Sequence, residues 1–391
     1  MNEREAREKV VSAGKRLVST GLIARTWGNV SCRISDSHFA ATPSGRGYLT
    51  LTPEETVVVS IENLSYEGSI KPTSEKRIHA EIYKHNKDIN FVIHTHQKYA
   101  SVLSAMGLDS INTDFSVPGN IACASYALPG TKKLSSNIRA ALNRSYGNAI
   151  IMKNHGAICF GQDEEEAFQT AKVLEDACKD YITKQYYKAE KEPNLDSDKK
   201  KELEKIKQSL LYTKPPAVCN YSRRTDNGFT MKAEGEEYIY VKHGETGSFD
   251  HEDARIHNEI YLKHKNINYI IHTYAPDILN VSSAGITLYP MLDDFAQIVG
   301  TKVETVINNP VNIAGALKNS SAVLVKNKGA LCCAASKDDA SAIEMILEKN
   351  CIIQICKALF KDAKPLSRFD SMLMRFIYLK KYSKKINGKG M

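Results

Sequence analysis

Residues 77–107 read RIHAEIYKHNKDINFVIHTHQKYASVLSAMG, and residues 255–285 read RIHNEIYLKHKNINYIIHTYAPDILNVSSAG. The two stretches align without a gap at an offset of 178 and are identical at 14 of 31 positions. A second pair follows in the same order at an offset of 173, with MKNHGAICF from residue 152 and VKNKGALCC from residue 325. Two ordered matches indicate that the chain carries two copies of one domain.

The pattern of apolar residues predicts the same elements in both copies. In the first copy RIHAEIYKHN is typical of a helix, because Ile78, Ile82 and Tyr83 share one face. The run INFVIHTH, rich in β-branched and aromatic residues, predicts a buried strand. NAIIMKNHGAICFG predicts two strands around a turn at 154–156, and the long helix that follows is expected to begin with Asp163 as its N-cap.

The length of the chain also favours two domains. Its 391 residues exceed one typical core, and the apolar fraction of 42% suffices for two. We expect a first domain over 1–190, a charged linker or helical extension over 191–215, a degenerate second domain over 216–380 and a basic tail over 381–391.

Composition argues against several other classes of protein. The charged N-terminus predicts an amphipathic helix and not a signal peptide, and no apolar run has the length of a membrane helix. Nine scattered cysteines are typical of a reduced, cytoplasmic protein. The net charge of +8 lies partly in the tail and is not interleaved with aromatic residues. We therefore expect neither a nucleic acid nor a membrane as partner, although a positive balance suits a phosphorylated substrate.

Four side chains of the first copy have the character of metal ligands. His94 and His96 stand two apart on the predicted strand, so both imidazoles face one side. His155 lies in the KNHG turn, and Glu75 ends the PTSE segment before a helix. A lone His-x-His pair is often incidental, but a third histidine and a carboxylate favour a site for Zn²⁺ or a similar divalent ion.

Three loops of the first copy could bind an anion. They contain Asn29 in GNVS, Ser44 and Gly45 in TPSG, and Thr73 and Ser74 in PTSE. Backbone N–H groups and hydroxyls at turns and helix N-termini favour phosphate. Each loop taken alone could equally consist of turn-forming residues.

The ordered set GNVS, TPSG, PTSE, HTH, ACASYALPGT and KNHG resembles the class II aldolase/adducin family, and within it the L-fuculose-1-phosphate aldolases. The similarity spans nearly all of residues 1–185. It implies an α/β fold with three layers, in which helices flank a mostly antiparallel central sheet, here present as two tandem copies. It also implies that Glu75, His94, His96 and His155 bind the metal, and that the five loop residues named above bind phosphate.

The resemblance implies a metal-dependent lyase that cleaves a small sugar phosphate by a retro-aldol reaction through a metal-stabilised enediolate. Glu75 would be the acid/base and Zn²⁺ the expected ion. Family aldolases have a tyrosine near position 115, where this chain has Phe115, so the adjacent Asp114 is the candidate second acid/base. A sugar-phosphate epimerase, a dehydratase or decarboxylase, and an adducin-like scaffold remain alternatives. The family's four-fold assembly implies a homo-oligomer, with two tandem chains forming a pseudo-tetramer.

The second copy has lost part of the ligand set. At the two offsets Glu75 maps to Asp253, His94 to His272, His96 to Tyr274 and His155 to Lys328. An ammonium has no lone pair for a metal, and no clear counterpart of GNVS or TPSG is visible. We therefore interpret this copy as a pseudo-domain, and we expect Lys328 to pair with Asp253. A separate activity of these four residues, or a lysine that points to solvent, remains open.

Overall fold

A computed structural model describes residues 1–23, 27–113, 119–211, 219–233, 235–245 and 252–381. The chain forms two compact units. The first comprises residues 1–185 with 360–364, and the second comprises residues 186–359 with 365–391. Among the described residues, none of the helices has both the length and the apolar character needed to cross a membrane.

The first unit is built on an eight-stranded sheet with the order β3-β2-β1-β4-β8-β7-β6-β5. All neighbouring strands are antiparallel except β6 and β7. The elements in chain order are α1 (Glu3–Ser19), β1 (Asn29–Arg33), β2 (His38–Ala41), β3 (Val57–Ser60), α2 (Lys76–His85), β4 (Phe91–Thr95), α3 (Lys98–Ser104), β5 (Ser110–Thr113), β6 (Gly119–Ala124), α4 (Lys132–Leu142), β7 (Ala149–Met152), β8 (Gly156–Gly161) and α5 (Glu164–Glu190).

The second unit repeats this architecture. Its sheet has the order β11-β10-β9-β12-β15-β14-β13, and only β13 and β14 are parallel. Its elements are α6 (Ser197–Leu210), β9 (Cys219–Arg224), β10 (Gly228–Lys232), β11 (Ile239–Lys242), α7 (Glu252–Lys263), β12 (Tyr269–Thr273), α8 (Pro276–Ala284), β13 (Thr305–Val306), α9 (Pro310–Ala316), β14 (Ala322–Val325), β15 (Ala330–Ala334), α10 (Lys337–Cys356) and α11 (Arg368–Lys381). The predicted fold class, a mostly antiparallel sheet flanked by helices in two copies, is confirmed.

The segment 191–215, expected as a linker or helical extension, contains a helix of the second unit. Helix α6 buries Leu203, Ile206 and Leu210 and is capped by Asp196, whose side chain accepts from the backbone N–H of Lys199. It precedes the first strand of its sheet, as α1 does in the first unit. Its charged residues are the solvated face of an amphipathic helix.

The core of the first unit holds helix α2 over the sheet. Ile78, Ile82 and Tyr83 are almost completely buried, as the sequence predicts, and pack in one cluster with Val92 of β4. Side chains two apart on a strand share a face, so His94 follows Val92 on the side of α2. The start of this helix therefore lies beside the end of β4, where the candidate ligands are.

Candidate metal centre

Three imidazoles of the first unit converge on one point. The Nε2 atoms of His96 and His155 each lie 2.9 Å from Nε2 of His94. The ligand atoms of the three residues all lie within 4.8 Å of one another, and each residue is at most 6% exposed. The convergence expected from the HTH and KNHG motifs is therefore present.

The backbone of the KNHG turn brings His155 to the end of β4. Asn154 adopts a left-handed conformation with φ of 56°, which asparagine tolerates better than most residues. At the next glycine, Gly156, a Cβ atom would lie 2.4 Å from the carbonyl oxygen of Thr95. Only glycine permits this approach, and the approach sets His155 beside His94.

Glu75 completes the cluster from the N-cap position of α2. Its carboxylate oxygens lie 3.5 Å from Nε2 of His94 and 3.3 Å from Nε2 of His155. The residue is 5% exposed. One carboxylate and three imidazole nitrogens around a single point form a donor set that zinc enzymes use.

The orientation of His94 suits a metal ligand. Its Nδ1 donates a 2.9 Å hydrogen bond to the carbonyl oxygen of Ala157, so its Nε2 keeps a lone pair toward the cluster. A backbone carbonyl that fixes the tautomer in this way is common among metal-binding histidines. Ligand nitrogens about 2.05 Å from a tetrahedral zinc are about 3.3 Å apart, close to the 2.9 Å separations here. The residues therefore fit a divalent ion.

A directional chain of hydrogen bonds supports Glu75 from behind. The amide of Asn29 donates to Oε2 of Glu75 across 2.8 Å, so its oxygen must accept from Nε2 of His79. Nδ1 of His79 then accepts from Ser31 Oγ at 2.6 Å, and Ser31 accepts from the Tyr83 hydroxyl at 2.7 Å. Every donor points toward the carboxylate. This series of hydrogen bonds was not predicted from the sequence, although the RIH triplet that contains His79 recurs in both copies and indicates its importance.

Burial and charge set the protonation of the cluster. Burial lowers the pKa of His94 and of His79 to about 3, so both rings are neutral at neutral pH. Burial opposes ionisation of Glu75, but the neighbouring His94 and His155 and the amide of Asn29 hold its pKa well below its ordinary value. A neutral imidazole and an ionised carboxylate are the forms that bind metal.

The loop residues expected to bind phosphate lie in two adjacent loops and on β1. Ser44 donates its backbone N–H to the carbonyl of Lys71, and Thr73 donates to that of Thr42, both at 2.9 Å. The Thr73 hydroxyl accepts from the backbone N–H of Glu75. The remaining residues are Gly45 and Ser74, which are exposed, and Asn29, whose side chain contacts Glu75 and His79. Asp114 and Phe115 lie outside the described residues, so their roles stay predictions.

The second unit holds a different arrangement at the equivalent place. Nε2 of His272 donates to the carbonyl oxygen of Lys328 at 2.8 Å. Nδ1 of the same ring lies 2.9 Å from Oδ1 of Asp253 and 3.2 Å from the Tyr274 hydroxyl. A carbonyl and a carboxylate only accept, so both nitrogens of the His272 ring face hydrogen-bond acceptors. Burial opposes ionisation of Asp253, but its interactions with His272, His257 and Asn220 together hold its pKa below the ordinary value.

The expected pairing of Lys328 with Asp253 in the second unit is wrong. Lys328 does not pair with Asp253, because its Nζ lies 2.9 Å from Oε2 of Glu252, with both side chains about half exposed. The lysine stands in a turn with positive φ at Asn327 and Gly329, which directs its carbonyl inward and its side chain outward.

The expectation that the second unit lacks a counterpart of GNVS is also wrong. The counterpart is CNYS at 219–222. Asn220 lies opposite His272 in the strand register, as Asn29 lies opposite His94. Its amide donates to Oδ2 of Asp253 across 2.6 Å. No counterpart of TPSG is found among the described residues after β10, where the sequence reads AEGEE over 233–237.

Comparison with known proteins places this geometry in a family. The model of the class II aldolase and adducin N-terminal domain matches residues 8–182 and again residues 205–355. A 5-deoxy-D-ribulose 1-phosphate aldolase of Bacillus thuringiensis is 33% identical over 174 residues, which cover 43% of this chain and 80% of the relative.

Two further relatives represent different activities. An L-fuculose phosphate aldolase of Methanococcus maripaludis is 33% identical over 152 residues, covering 38% of this chain and 81% of the relative. A 3-oxo-tetronate 4-phosphate decarboxylase of Haemophilus influenzae is 28% identical over 194 residues, covering 47% of this chain and 90% of the relative. With two matched segments that together span most of its length, the chain belongs to the class II aldolase and adducin family.

Proposed function

We propose that the first unit is a metal-dependent aldehyde-lyase that cleaves a small ketose phosphate in the cytoplasm. The observation that carries the proposal is the convergence of Glu75 with His94, His96 and His155. Two aldolase relatives, each 33% identical over part of this chain, act on sugar phosphates by name. A scaffold has no need of a buried carboxylate among three imidazoles, so the intact cluster favours an enzyme.

The four residues would hold a divalent ion, for which Zn²⁺ is the expected identity. Such an ion supplies Lewis-acid polarisation of the substrate's carbonyl and hydroxyl oxygens. In retro-aldol cleavage of a ketose 1-phosphate the C4 hydroxyl loses a proton, the C3–C4 bond breaks and C3 later gains a proton. Glu75 is proposed to move a proton at C3, because a carboxylate held ionised can accept one and return it.

The hydrogen-bond chain behind Glu75 keeps one oxygen occupied by Asn29. The other oxygen, beside His155, is the one that would face the substrate. The loops around Ser44, Gly45, Thr73 and Ser74 are proposed to bind the phosphate and to fix the reacting carbons. Asn29 and Asp114 complete the proposed set, as a further phosphate-site residue and as the second acid/base.

A panel of phosphorylated substrates tests the function. Metal-loaded protein should release dihydroxyacetone phosphate from a ketose 1-phosphate, and a chelator should abolish this release. Release of carbon dioxide from a 3-oxo-acid phosphate, without any aldol cleavage, would instead support the decarboxylase alternative, which the Haemophilus relative favours. Interconversion of epimers without cleavage would support the epimerase alternative.

We also propose that two tandem chains assemble into a pseudo-tetramer of alternating units. The repeat of the sheet order in the second unit supports this, because the duplicated fold can occupy the places of a second subunit. Light scattering should give a mass of about twice the 43.5 kDa chain. A stable monomer with full activity would contradict it.

A further inference from the structure

Helix α11 presents a stripe of large apolar side chains to the outside. Phe369, Met372, Phe376 and Leu379 recur at intervals of three and four residues, which places them on one face of the helix. They are 74%, 55%, 61% and 46% exposed, respectively. Scattered apolar residues on a surface need no explanation, but a contiguous stripe marks a contact site.

The opposite face of the helix attaches it to the second unit. Ser371 and Met374 are buried. The guanidinium of Arg375 donates to the carbonyl oxygens of Gln297 and Ile298 at 2.8 and 2.7 Å. The apolar stripe is therefore a second apolar surface of this helix and does not serve the core.

Positive charge is concentrated in this helix and in the sequence that follows it. Residues 368–391 contain seven lysines and arginines and a single acidic residue, Asp370, so they carry +6 of the net +8. Residues 371–391 contain no acidic residue at all. The ammonium of Lys380 lies 5.7 Å above the ring of Phe376, so charge and apolar stripe share one surface.

These observations identify a partner by its chemistry. A second copy of the helix would bring like charges together, and an acidic protein would need counter-charges at fixed positions. An anionic lipid surface accepts aromatic and aliphatic side chains below its headgroups and attracts lysines without fixed geometry. We propose that the exposed apolar face of α11, with Lys380 beside it, docks the protein reversibly on an anionic membrane surface. The sequence analysis expected no membrane partner, because the sequence alone did not reveal which face of the helix the fold leaves exposed.

Sedimentation with vesicles tests the proposal on the full-length, metal-loaded protein. The protein should bind vesicles of phosphatidylcholine and phosphatidylserine at low salt, and binding to pure phosphatidylcholine should be at least about tenfold weaker. The variant Phe369→Ser/Phe376→Ser should lose binding by about tenfold or more, since the apolar contribution scales with buried area. Lys380→Glu/Lys381→Glu should lose a similar amount and be less sensitive to added salt.

Matched controls separate this surface from general effects. Leu49→Ser removes an apolar side chain that is 67% exposed in the first unit, and Lys132→Glu/Lys133→Glu reverses two exposed lysines of α4. Neither control should change binding by more than about twofold if the charge acts locally. Failure of the parent protein to bind anionic vesicles overturns the proposal, as does full binding by the serine variant. A change of mass in the serine variant, with no vesicle binding by the parent, would assign the stripe to a second copy instead.

Discussion

The side-chain amide of Asn29 donates a 2.8 Å hydrogen bond to Oε2 of Glu75, across 46 residues of sequence. The same bond recurs in the second unit, where Asn220 donates to Oδ2 of Asp253 across 2.6 Å. The second unit keeps this bond although it has replaced two of the three imidazoles. The bond therefore stabilises the contact between strand and helix in both units. Matched variants in the second unit can thus serve as controls that separate effects on the fold from effects on the metal site.

The first prediction uses this control on the histidine behind the amide. His79→Leu leaves the oxygen of Asn29 and the hydroxyl of Ser31 without their present partner, which should cost about 1–3 kcal/mol. His257→Leu removes the equivalent, fully buried ring of the second unit. Denaturant unfolding should show losses in both variants.

Metal binding should distinguish the two variants. His79→Leu should weaken affinity for Zn²⁺ by about 10- to 100-fold, because the residue orients a ligand, and His257→Leu should not. Competition with a chromophoric chelator measures the affinity. An unchanged affinity for Zn²⁺ in His79→Leu would mean that the hydrogen bonds behind Glu75 stabilise the fold and do not support the metal site.

The second prediction concerns stoichiometry and His96. The parent chain should hold about one divalent ion, because the second unit has tyrosine and lysine where the first has His96 and His155. His96→Ala should reduce the affinity for the metal by about 100-fold or more, since a residue that binds the metal directly contributes at least as much to affinity as the residues that orient it. Tyr274→Ala, at the matching place, should leave metal content unchanged. Elemental analysis that finds two ions per loaded chain, or none, refutes this.

The third prediction concerns the proposed acid/base. Glu75→Gln keeps the volume and the acceptor for Asn29 but removes the carboxylate, so turnover should fall by about 100-fold or more. Asp253→Asn in the second unit should leave the turnover per metal-loaded site near that of the parent. Steady-state assays at saturating Zn²⁺ separate loss of chemistry from loss of metal. Near-normal turnover by Glu75→Gln would move the proton transfer to another group, with Asp114 as the first candidate.

Much of the site could be predicted because its residues lie in short, strongly patterned segments. His94 and His96 stand two apart on a strand whose period is fixed, so spacing alone placed their imidazoles on one face. Glu75 at a helix start was a candidate from its position, and the family resemblance joined it to the histidines. The Asn220 counterpart escaped notice because only asparagine and serine remain of GNVS. In addition, the offset there is 191, not 178, as the second copy has 13 fewer residues between this strand and the following helix.

The direction of a side chain in a turn, such as that of Lys328, could not be predicted from the sequence. Sequence spacing correctly aligns Lys328 with His155, but it fixes only where the backbone passes. In the first unit Nδ1 of His94 donates to a carbonyl, whereas in the second unit it is Nε2 of His272 that does so. A ring turned in this way meets Asp253 itself and leaves the lysine to Glu252. Such a choice depends on contacts from several elements and is not encoded in one motif.

The last prediction follows from the buried pair of Asp253 and His272, which are 3% and 1% exposed. Asp253→Asn leaves the ring without its carboxylate and should cost about 3–5 kcal/mol of the free energy of unfolding at pH 7. Lys328→Met breaks only a half-exposed ion pair with Glu252 and should cost less than about 1 kcal/mol. Denaturant unfolding of the two variants beside the parent measures both losses.

The pH dependence of this difference has a definite sign. The pKa of Asp253 in the folded chain lies below its ordinary value, so in moderate acid the unfolded chain takes up a proton that the folded chain does not. The stability that the carboxylate contributes is therefore present in full above about pH 5. It falls away as the pH drops below about 4, toward the folded pKa, and the gap between parent and Asp253→Asn should narrow there. A difference in the free energy of unfolding between parent and Asp253→Asn that widens in acid would contradict the buried pair of Asp253 and His272. A Lys328→Met variant as unstable as Asp253→Asn would also contradict it and would indicate that Lys328 pairs with Asp253 after all.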